Sequence, residues 1–319
     1  MPSSPAICVV GSINMDLVFR TPRMPGVGET ISGHEFLQIA GGKGANQAVA
    51  AARQGARTSL IGCVGSDAYG EQSLAGLEQD GISTDAISTI AHCATGVAGI
   101  FVDDQGNNSI VIAPGANAHL APAHIEAAQT VIRTAQILVC QCETPLETIQ
   151  AAIDMAHAHG VKVVFNPAPA IALPAGLLAK VSHLIVNETE ARQLSDIQVT
   201  DIDSARVASQ KLLSQGVRCV LLTMGAAGVC VTQHNHFLHL PAIRVTVVDS
   251  TAAGDTFVGA FAVALAGGMN ETDAAEQAQY SAALTVTKLG AQSSIPHRFD
   301  VEKFKAQLNT TEGHSHGTA

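Results

Sequence analysis

The sequence contains no tryptophan, two tyrosines and nine phenylalanines among its 319 residues. So few aromatic rings exclude a surface of stacking platforms of the kind that holds single-stranded nucleic acids. Basic residues are also scarce, with 17 Lys and Arg against 27 Asp and Glu and a net charge of −10. Proteins that bind nucleic acids through phosphate contacts carry clustered positive charge, so we expect no nucleic-acid partner.

Long hydrophobic runs are missing as well. No segment reaches the ~18 unbroken apolar residues that a membrane span requires, and the most apolar stretch, residues 257–269, is interrupted by Gly259, Gly267 and Gly268. The first ten residues carry no basic group, so we expect no secretory signal. The seven cysteines are odd in number and follow no disulfide spacing, which favours the reducing cytoplasm. We therefore expect a cytoplasmic protein with no membrane partner.

Small and apolar residues, in contrast, are abundant. Hydrophobic residues make up 47% of the chain and glycines number 29, whereas charged residues are 14%, below the roughly 25% of an average domain. This composition is typical of a tightly packed globular protein. A length of 319 residues fits either two domains or one large α/β fold.

Short apolar runs alternate with helix-length, alanine-rich stretches. The runs are apolar at successive positions, which is typical of strands buried on both faces. Helices are predicted over residues 45–54 and 147–158. Strand–helix alternation of this kind predicts a mostly parallel sheet covered by helices, the α/β class. The predicted strands are residues 7–10, 59–63, 137–142, 161–165, 183–186 and 220–223.

Two regions break this alternation and predict a second, smaller sheet. Residues 14–40 contain extended pieces separated by Pro and Gly, and residues 96–113 have the pattern of a hairpin with a polar turn. Two short antiparallel pieces cannot form a core alone, so we expect them to project from the main body as a lid or a dimer surface. The α/β domain is predicted to span residues 1–305, and the polar residues 306–319 are predicted to be a disordered tail.

Two segments near the N-terminus combine polar side chains with turns. Asn14 and Asp16 stand two positions apart after a predicted strand, so in extended chain they point the same way. Such a pair suits hydroxyl groups, and an Asx turn is the alternative. Three glycines among residues 41–44 surround Lys43 and lead into a helix, which allows a ligand to approach the backbone at a helix N-terminus. A purely structural turn is the alternative, but packing hardly explains the lysine.

Another segment places a carboxylate at a helix start. Residues 257–265 have helical spacing, so the small residues 252–254 form a turn whose N–H groups can hold an anion. Asp255 falls in the first helical turn. The helix dipole favours a carboxylate there by about 0.3–1 kcal/mol, but the same carboxylate can act as a general base beside a phosphate. The residues alone leave both interpretations open.

Three further segments lie at predicted strand ends, where open α/β sheets bind ligands. Asn187 and Glu190 form a capping-box pattern, and they could equally position a phosphate and Mg²⁺. The loop at 223–228 is glycine-rich and flexible. Glu143 follows the strand at 137–142 and is either a carboxylate favoured by the next helix start or a group that reaches into the same cleft.

Taken together, these segments resemble the ribokinase family of sugar and nucleoside kinases. The blocks at 41–47 (Gly-Gly-Lys-Gly-Ala-Asn-Gln) and 252–257 (Ala-Ala-Gly-Asp-Thr-Phe) are highly specific as a pair. The resemblance covers about residues 6–305 and implies a ribokinase-like three-layer sandwich that phosphorylates D-ribose at O5 with ATP. The segments that occur in the family's order are residues 11–16, 41–48, 187–190, 249–257 and 288–292.

The resemblance also implies roles for individual residues. Asp255 would be the base that takes the proton from the 5-hydroxyl of ribose. The anion hole beside it would consist of Ala252, Ala253 and Gly254. The sugar hydroxyls would be held by Asn14, Asp16, Gly42, Lys43, Asn46, Glu143 and Asp255. The nucleotide and its Mg²⁺, reached from Glu190 through water, would contact Asn187, Glu190, Thr223, Gly225, Ala226, Gly228, Gly254 and Gln279.

A monovalent-cation loop is implied by the same resemblance. K⁺ would activate the enzyme by shaping the anion hole, and backbone carbonyls would hold it for the most part. The small sheet would serve as a lid and would also form a homodimer. The residues of the cation loop would be Asp249, Thr251, Thr285, Lys288, Gly290 and Ser294.

The sequence leaves alternatives open. A kinase of the same family for deoxyribose, fructose or a nucleoside would share all of these motifs, although aromatic side chains that could stack on a base are scarce. A catalytically silent sugar-binding protein is disfavoured because every candidate catalytic residue is present. A dinucleotide-dependent oxidoreductase of similar architecture would need a glycine fingerprint that the sequence lacks.

Overall fold

The computed structural model describes residues 4–315, which contain two β-sheets and the helices that cover the larger one. The strands are β1 (Ala6–Val10), β2 (Asn14–Thr21), β3 (Glu35–Gly41), β4 (Arg57–Gly65), β5 (Ile87–Ile90), β6 (Gly96–Asp103), β7 (Asn108–Ala113), β8 (Ile137–Cys140), β9 (Lys162–Phe165), β10 (His183–Asn187), β11 (Cys219–Thr223), β12 (Val229–Gln233) and β13 (His236–Leu240). The helices are α1 (Lys43–Arg53), α2 (Ala68–Gln79), α3 (Pro122–Ala127), α4 (Gln129–Thr134), α5 (Leu146–Ala158), α6 (Glu188–Ser195), α7 (Ile202–Leu213), α8 (Ala253–Ala266), α9 (Glu271–Thr285) and α10 (Arg298–Ser315).

The larger sheet has nine strands in the order β13-β12-β11-β10-β9-β8-β1-β4-β5. Its strands pair in parallel from β11 through to β5, and β12 and β13 add an antiparallel edge. All six predicted strands are present, each within two residues of its expected bounds. The mostly parallel sheet is therefore confirmed.

Helices cover both faces of this sheet, which makes the three-layer sandwich expected from the resemblance. Successive residues of β1 show why: Cys8 and Val10 belong to one buried core and Ile7 and Val9 to the other. The first core takes in α3 to α7, and the second takes in α1, α2, α8 and α9. Burial on both faces explains why the strands read as continuous apolar runs.

The smaller sheet has four strands in the order β3-β2-β6-β7. Its strands come from the two regions that break the alternation, and β6 and β7 form the expected hairpin. The smaller sheet adjoins the larger one. Its strand β2 begins at Asn14, shortly after β1 of the larger sheet ends, and β3 ends at Gly41, directly before the turn into α1. Large apolar side chains are exposed on it, among them Phe19, Phe36, Ile110, Val111 and Ile112.

Close packing of helices α1 and α8 fixes the distance between the two motifs at which they begin, residues 41–47 and 252–257. Helices α1 and α8 lie side by side in the second core. Gly259 of α8 faces α1 so closely that a Cβ there would lie 2.6 Å from the Ala50 Cβ. The lack of a side chain at Gly259 lets the N-terminal turns of both helices meet at the carboxyl edge of the sheet.

The last helix, α10, runs from Arg298 to Ser315, and its second half overlaps the residues from 306 onward for which the sequence predicts a disordered tail. Val301 is buried and the Phe304 ring packs edge-on against Tyr280 of α9, and these contacts anchor the helix. The remainder of the predicted tail, residues 316–319, lies outside the described residues. Within residues 4–315, no helix has the length and apolarity needed to cross a membrane.

Candidate active site

The glycine-rich segment turns sharply from β3 into α1. Gly42 has φ +87°, and a Cβ there would lie 2.7 Å from the Asn14 backbone nitrogen, so both conformation and space require glycine. The turn places Lys43 next to Glu143, with 3.9 Å between Lys43 Nζ and Glu143 Oε1. Glu143 Oε2 also accepts hydrogen bonds from Ser12 Oγ (2.6 Å) and from the Lys43 backbone N–H (3.0 Å). Glu143 therefore binds the two chain segments together at the strand ends.

Asn14 and Asp16 begin β2 and lie on the same face of the small sheet. Asn14 is buried, and its Oδ1 accepts a hydrogen bond from Asn117 Nδ2 over 2.7 Å. Asn117 is fixed in turn by the Ile13 backbone, which donates to its Oδ1 and accepts from its Nδ2. The amide group of Asn14 therefore presents its N–H₂ side to the site.

Carboxylates outnumber cations at this point of the molecule. Burial raises the pKa of Asp16 to about 7, and the charges of Glu143 and Asp255 add to this while Lys43 opposes it. The pKa of Lys43 is raised in turn, chiefly by Asp255 and against the effect of burial, with Glu143, Glu190 and Asp16 contributing. One ammonium thus offsets only part of the negative charge of this acidic cluster, which offers several acceptors and one strong donor to the hydroxyls of a sugar.

Asp255 lies in the first turn of α8, where the helix leaves a strained start. Ala252, the residue before the helix, is left-handed at φ +59°, a conformation that a non-glycine residue adopts at a cost of about 1–2 kcal/mol. Asp255 is 8% exposed, and its two oxygens accept one amide hydrogen bond each. Asn46 Nδ2 donates to Oδ2 and Gln47 Nε2 donates to Oδ1, both over 2.9 Å.

The small-residue turn before Asp255 leaves one backbone N–H group available to an anion. A helix start leaves its first N–H groups without intrahelical partners. Within the described residues, the Ala253 N–H makes a long bond of 3.3 Å to the Ser250 carbonyl, and no acceptor faces the N–H of Gly254. Gly254 is also exposed, so a phosphate oxygen can reach it.

Gln47, Gln141 and Asn166 were not predicted from the sequence, yet they form a buried amide chain behind Asp255. Gln141 Nε2 donates to Gln47 Oε1 (2.7 Å), and Gln47 Nε2 donates to Asn166 Oδ1 (3.2 Å) as well as to Asp255. The available signal was a polar residue inside an apolar run, as with Gln141 between two cysteines. Asn117 carries no such signal, since it lies in a short 3-10 helix, Gly115–His119, outside any apolar run.

Asn187 and Glu190 form the capping box at the start of α6. Asn187 donates its backbone N–H to Glu190 Oε2 (2.9 Å) and its Nδ2 to Oε1 (3.1 Å), and the Glu190 N–H returns a bond to Asn187 Oδ1. Glu190 is nonetheless part of the acidic cluster. Burial raises its pKa above the ordinary value, against the hydrogen bond from Asn187 and the charge of Lys43.

The glycine-rich loop after β11 is a short, open turn. Gly225 and Ala226 are exposed, whereas Thr223 donates through Oγ1 to the Val186 carbonyl (3.3 Å). Gly228 closes the turn at φ +101°, with its carbonyl accepting from the Met224 N–H. The side chain of Gln279 is held by the main chain, because its Nε2 donates to the carbonyls of Leu240 and Pro241.

Two residues of the expected cation loop, Thr251 and Gly290, contact Asp249. Asp249 Oδ1 accepts from the N–H and the hydroxyl of Thr251, and Oδ2 accepts from the Gly290 N–H (2.9 Å). Burial acts to raise the pKa of Asp249, but these hydrogen bonds outweigh it and keep the pKa below the ordinary value. The Lys288 N–H donates to the Thr285 carbonyl, and Ser294 Oγ donates to the Ala291 carbonyl.

Known proteins share this chain's sequence over nearly its whole length. Residues 4–298 match the family described as "pfkB family carbohydrate kinase". The ribokinase of Schizosaccharomyces pombe is 42% identical over 316 residues, covering 95% of this chain and 99% of that protein. The deoxyribokinase of Salmonella typhi is 37% identical over 307 residues, with 96% and 99% covered.

Solved structures agree with the same assignment. The structure of Arabidopsis thaliana ribokinase complexed with ribose and ATP superposes with a TM-score of 0.89 at 32% identity, covering 95% of this chain and 99% of that chain. Sequence match, fold and the clustered motif residues lead to one conclusion. The chain belongs to the pfkB family of carbohydrate kinases.

Proposed function

We propose that this protein transfers the γ-phosphoryl group of MgATP to the 5-hydroxyl of D-ribose, giving D-ribose 5-phosphate and ADP. The observation that carries the proposal is the place of Asp255. Its carboxylate lies in the first turn of α8, beside the small-residue turn on one side and the sugar-type ligands Asn46 and Lys43 on the other. The names of the relatives in S. pombe and A. thaliana support the same activity.

The sugar would be held by side chains that accept hydrogen bonds from its hydroxyl groups and donate hydrogen bonds to them. Asp16 and Glu143 accept hydrogen bonds from hydroxyl protons, and the N–H₂ of Asn14 donates to a hydroxyl oxygen. Lys43 offsets the negative charge of both carboxylates. The backbone N–H of Gly42 and the amide of Asn46 complete the set, and buried Asn46 Oδ1, which lacks a partner among the described residues, is free to accept a hydroxyl proton.

The chemical step needs a base and a place for charge. Asp255 takes the proton of the 5-hydroxyl, O5 forms a bond to the γ-phosphorus, and the bond from that phosphorus to the β-phosphate oxygen breaks to release ADP. The N–H groups of Ala252, Ala253 and Gly254 stabilise the charge on the transferring group. Asn187 and Glu190 would position the phosphates and, through water, the Mg²⁺ of the substrate.

The nucleotide would occupy the carboxyl edge of the sheet next to the loop after β11. Thr223, Gly225, Ala226 and Gly228 supply backbone there without bulky side chains, so an adenine ring can lie against the turn. Gln279 would line the same pocket, with its Nε2 donating to the carbonyls of Leu240 and Pro241.

The loop around Asp249 fits a monovalent cation through the chemistry of its donors, which are oxygens. Asp249 is ionised, but three donors already satisfy its oxygens. Ligation therefore falls to carbonyls, as expected for Thr251, Thr285, Lys288 and Gly290, with Ser294 at the end of the loop. Bound K⁺ supplies positive charge close to the start of α8.

We also assign the protein to the cytoplasm as a homodimer. All seven cysteines are free thiols, which suits a reducing compartment. The exposed apolar residues of the small sheet supply a surface that a second copy can cover. The same sheet lies next to the sugar site through Asn14 and Asp16, so it can also act as a lid.

Deoxyribose is the second candidate substrate, favoured by the similarity to the Salmonella enzyme. The test measures ADP release from MgATP with D-ribose, 2-deoxyribose, fructose, adenosine or no sugar, each in K⁺ and in Na⁺, and identifies the product by phosphorus NMR. We expect ribose-dependent, K⁺-stimulated turnover that gives a 5-phosphate. A preference for deoxyribose would change only the proposed substrate. Equal rates in K⁺ and Na⁺ would contradict the proposed cation loop. No sugar-dependent turnover would contradict the proposal.

A further inference from the structure

The buried amide chain behind Asp255 has a fixed direction. It starts at the Ile185 carbonyl, which as a main-chain oxygen only accepts a hydrogen bond, and which receives one from Asn166 Nδ2 over 3.0 Å. Asn166 must therefore turn its Oδ1 to Gln47, and that oxygen accepts from Gln47 Nε2 over 3.2 Å. Gln47 consequently presents N–H groups, never its oxygen, to Asp255.

The oxygen of the Gln47 amide has a donor as well. Gln47 Oε1 accepts from Gln141 Nε2 over 2.7 Å. Both protons of the Gln47 amide are used, one on Asn166 and one on Asp255 Oδ1. A flipped amide would set its oxygen against two acceptors, Asn166 Oδ1 and Asp255 Oδ1, and would leave both without the donor that they now accept from. Gln47 and Gln141 are fully buried, so water cannot repair the mismatch.

We propose that Gln47 is a positioning residue for the phosphoryl transfer: its amide holds Asp255 Oδ1, so that Oδ2 is the oxygen that takes the proton of the sugar hydroxyl. This inference rests on the proposed role of Asp255 as the base. Oδ2 faces Asn46, which belongs to the sugar site, whereas Oδ1 faces only the buried chain.

The surroundings of the two oxygens explain the asymmetry. Each oxygen already accepts one amide N–H and keeps a second lone pair that can take a proton. Oδ2 is on the side of Asn46 and the sugar site, so the O5–H group reaches Oδ2, and Oδ1 keeps its hydrogen bond from Gln47 before and after the transfer. The electron pair left on O5 then forms the bond to the γ-phosphorus, and ADP leaves with the pair from the broken P–O bond. Gln47 thus favours one protonation site without touching substrate.

The first test replaces Gln47 by methionine, which has a similar length but no donor. We expect Q47M to lower kcat about 10²-fold, the scale of a misplaced catalytic group, while KM for ribose changes less than about threefold. The acid limb of the kcat–pH profile should move to higher pH, because a carboxylate that has lost a donor holds a proton more readily. The matched control is Q54M on the same segment. Gln54 is also buried and donates to a backbone carbonyl, that of Pro296 (3.0 Å).

The control separates positioning from simple stability. Q54M should lower Tm by a similar amount and keep kcat within about twofold. If Q47M lowers Tm but leaves kcat and its pH profile as in Q54M, Gln47 is only structural and the proposal is wrong.

Where Q47M does not fold, Q47E is the substitute, since it keeps the shape of the side chain and the acceptor for Gln141. The carboxyl group introduced by Q47E can donate to Asp255 only while it is protonated. We therefore expect Q47E to retain a larger fraction of wild-type kcat at pH 6 than at pH 9. The same fraction at both pH values overturns the proposal.

A double-mutant cycle with D255N distinguishes this inference from the proposed function. If Gln47 acts through Asp255, adding Q47M to D255N should lower kcat by less than about threefold relative to D255N alone. Full multiplication of the two losses means that Gln47 acts elsewhere, which overturns the positioning role and leaves the base intact. Near-normal turnover of D255N alone removes the base itself, and the role of Gln47 with it.

Discussion

Asn117 Nδ2 donates to Asn14 Oδ1 over 2.7 Å, and this bond decides which side of the Asn14 amide faces the sugar site. Asn117 is 1% exposed and lies more than a hundred residues further along the chain, in the short 3-10 helix Gly115–His119 that follows β7. The pairing therefore turns a flexible amide into a fixed donor. Donors and acceptors at a sugar site only discriminate when their direction is fixed.

Replacing Asn117 by aspartate tests this relationship with an isosteric change. The aspartate still accepts from the Ile13 N–H, but it cannot donate to Asn14 Oδ1. We expect N117D to raise KM for ribose about tenfold, corresponding to about 1.4 kcal/mol, while kcat stays within about threefold. Steady-state kinetics measure both. An equal fall in kcat with an unchanged KM would show that Asn117 acts on the chemical step instead.

The raised pKa of Asp16 gives the site a pH dependence with a definite sign. The folded protein binds the Asp16 proton up to a pKa of about 7, against 3.8 for the ordinary group. Ionisation of Asp16 therefore opposes folding as the pH rises from about 4 to about 7. We expect D16N to raise Tm by about 2 °C or more at pH 8, to change Tm little at pH 4, and to weaken ribose binding. A Tm difference that does not grow between these pH values would contradict the charge cluster.

A second titration lies at the opposite end of the sheet. His183 Nε2 contacts Glu271 Oε1 at 3.3 Å, and this hydrogen bond lowers the pKa of Glu271 to about 2, against partial burial. The pKa is depressed, so the contribution to stability is complete above about pH 4.5 and is lost as the pH falls towards 2. Acid unfolding followed by circular dichroism should show that E271Q loses less stability than the wild type between pH 4.5 and pH 2, while its kcat at pH 7 is unchanged. Parallel unfolding curves would show that the pair does not contribute.

Two neighbouring residues on β7 test the dimer surface. Ile110 lies beside Ile100 and Val18 on the same face of the small sheet as Asp16, and Val111 points to the other face. We expect I110R to give monomers in analytical ultracentrifugation, since an arginine cannot be buried between two apolar surfaces. V111R serves as the matched control on the same strand. If only V111R gives monomers, the interface lies on the other face of the small sheet. If the wild type is itself a monomer, the proposed homodimer is wrong.

The sequence predicts much of this molecule because its strongest signals are local. Continuous apolar runs such as β1 are buried on both faces, and the motif at 252–257 does begin a helix. The amide chain was missed because nothing in the spacing of Gln47, Gln141 and Asn166 indicates that three separate elements bring them together. The burial of Val301 and the contact of Phe304 with Tyr280 are likewise tertiary features of α10 that composition does not show.

The central claim is that Asp255 takes the proton from the 5-hydroxyl, and D255N tests it most directly. The measurement pairs kcat for ADP release with ribose affinity from calorimetry, both at pH 8. We expect kcat to fall about 10³-fold while the ribose Kd stays within about threefold of the wild type. A variant that binds ribose and still turns over at near-normal rate would contradict the claim.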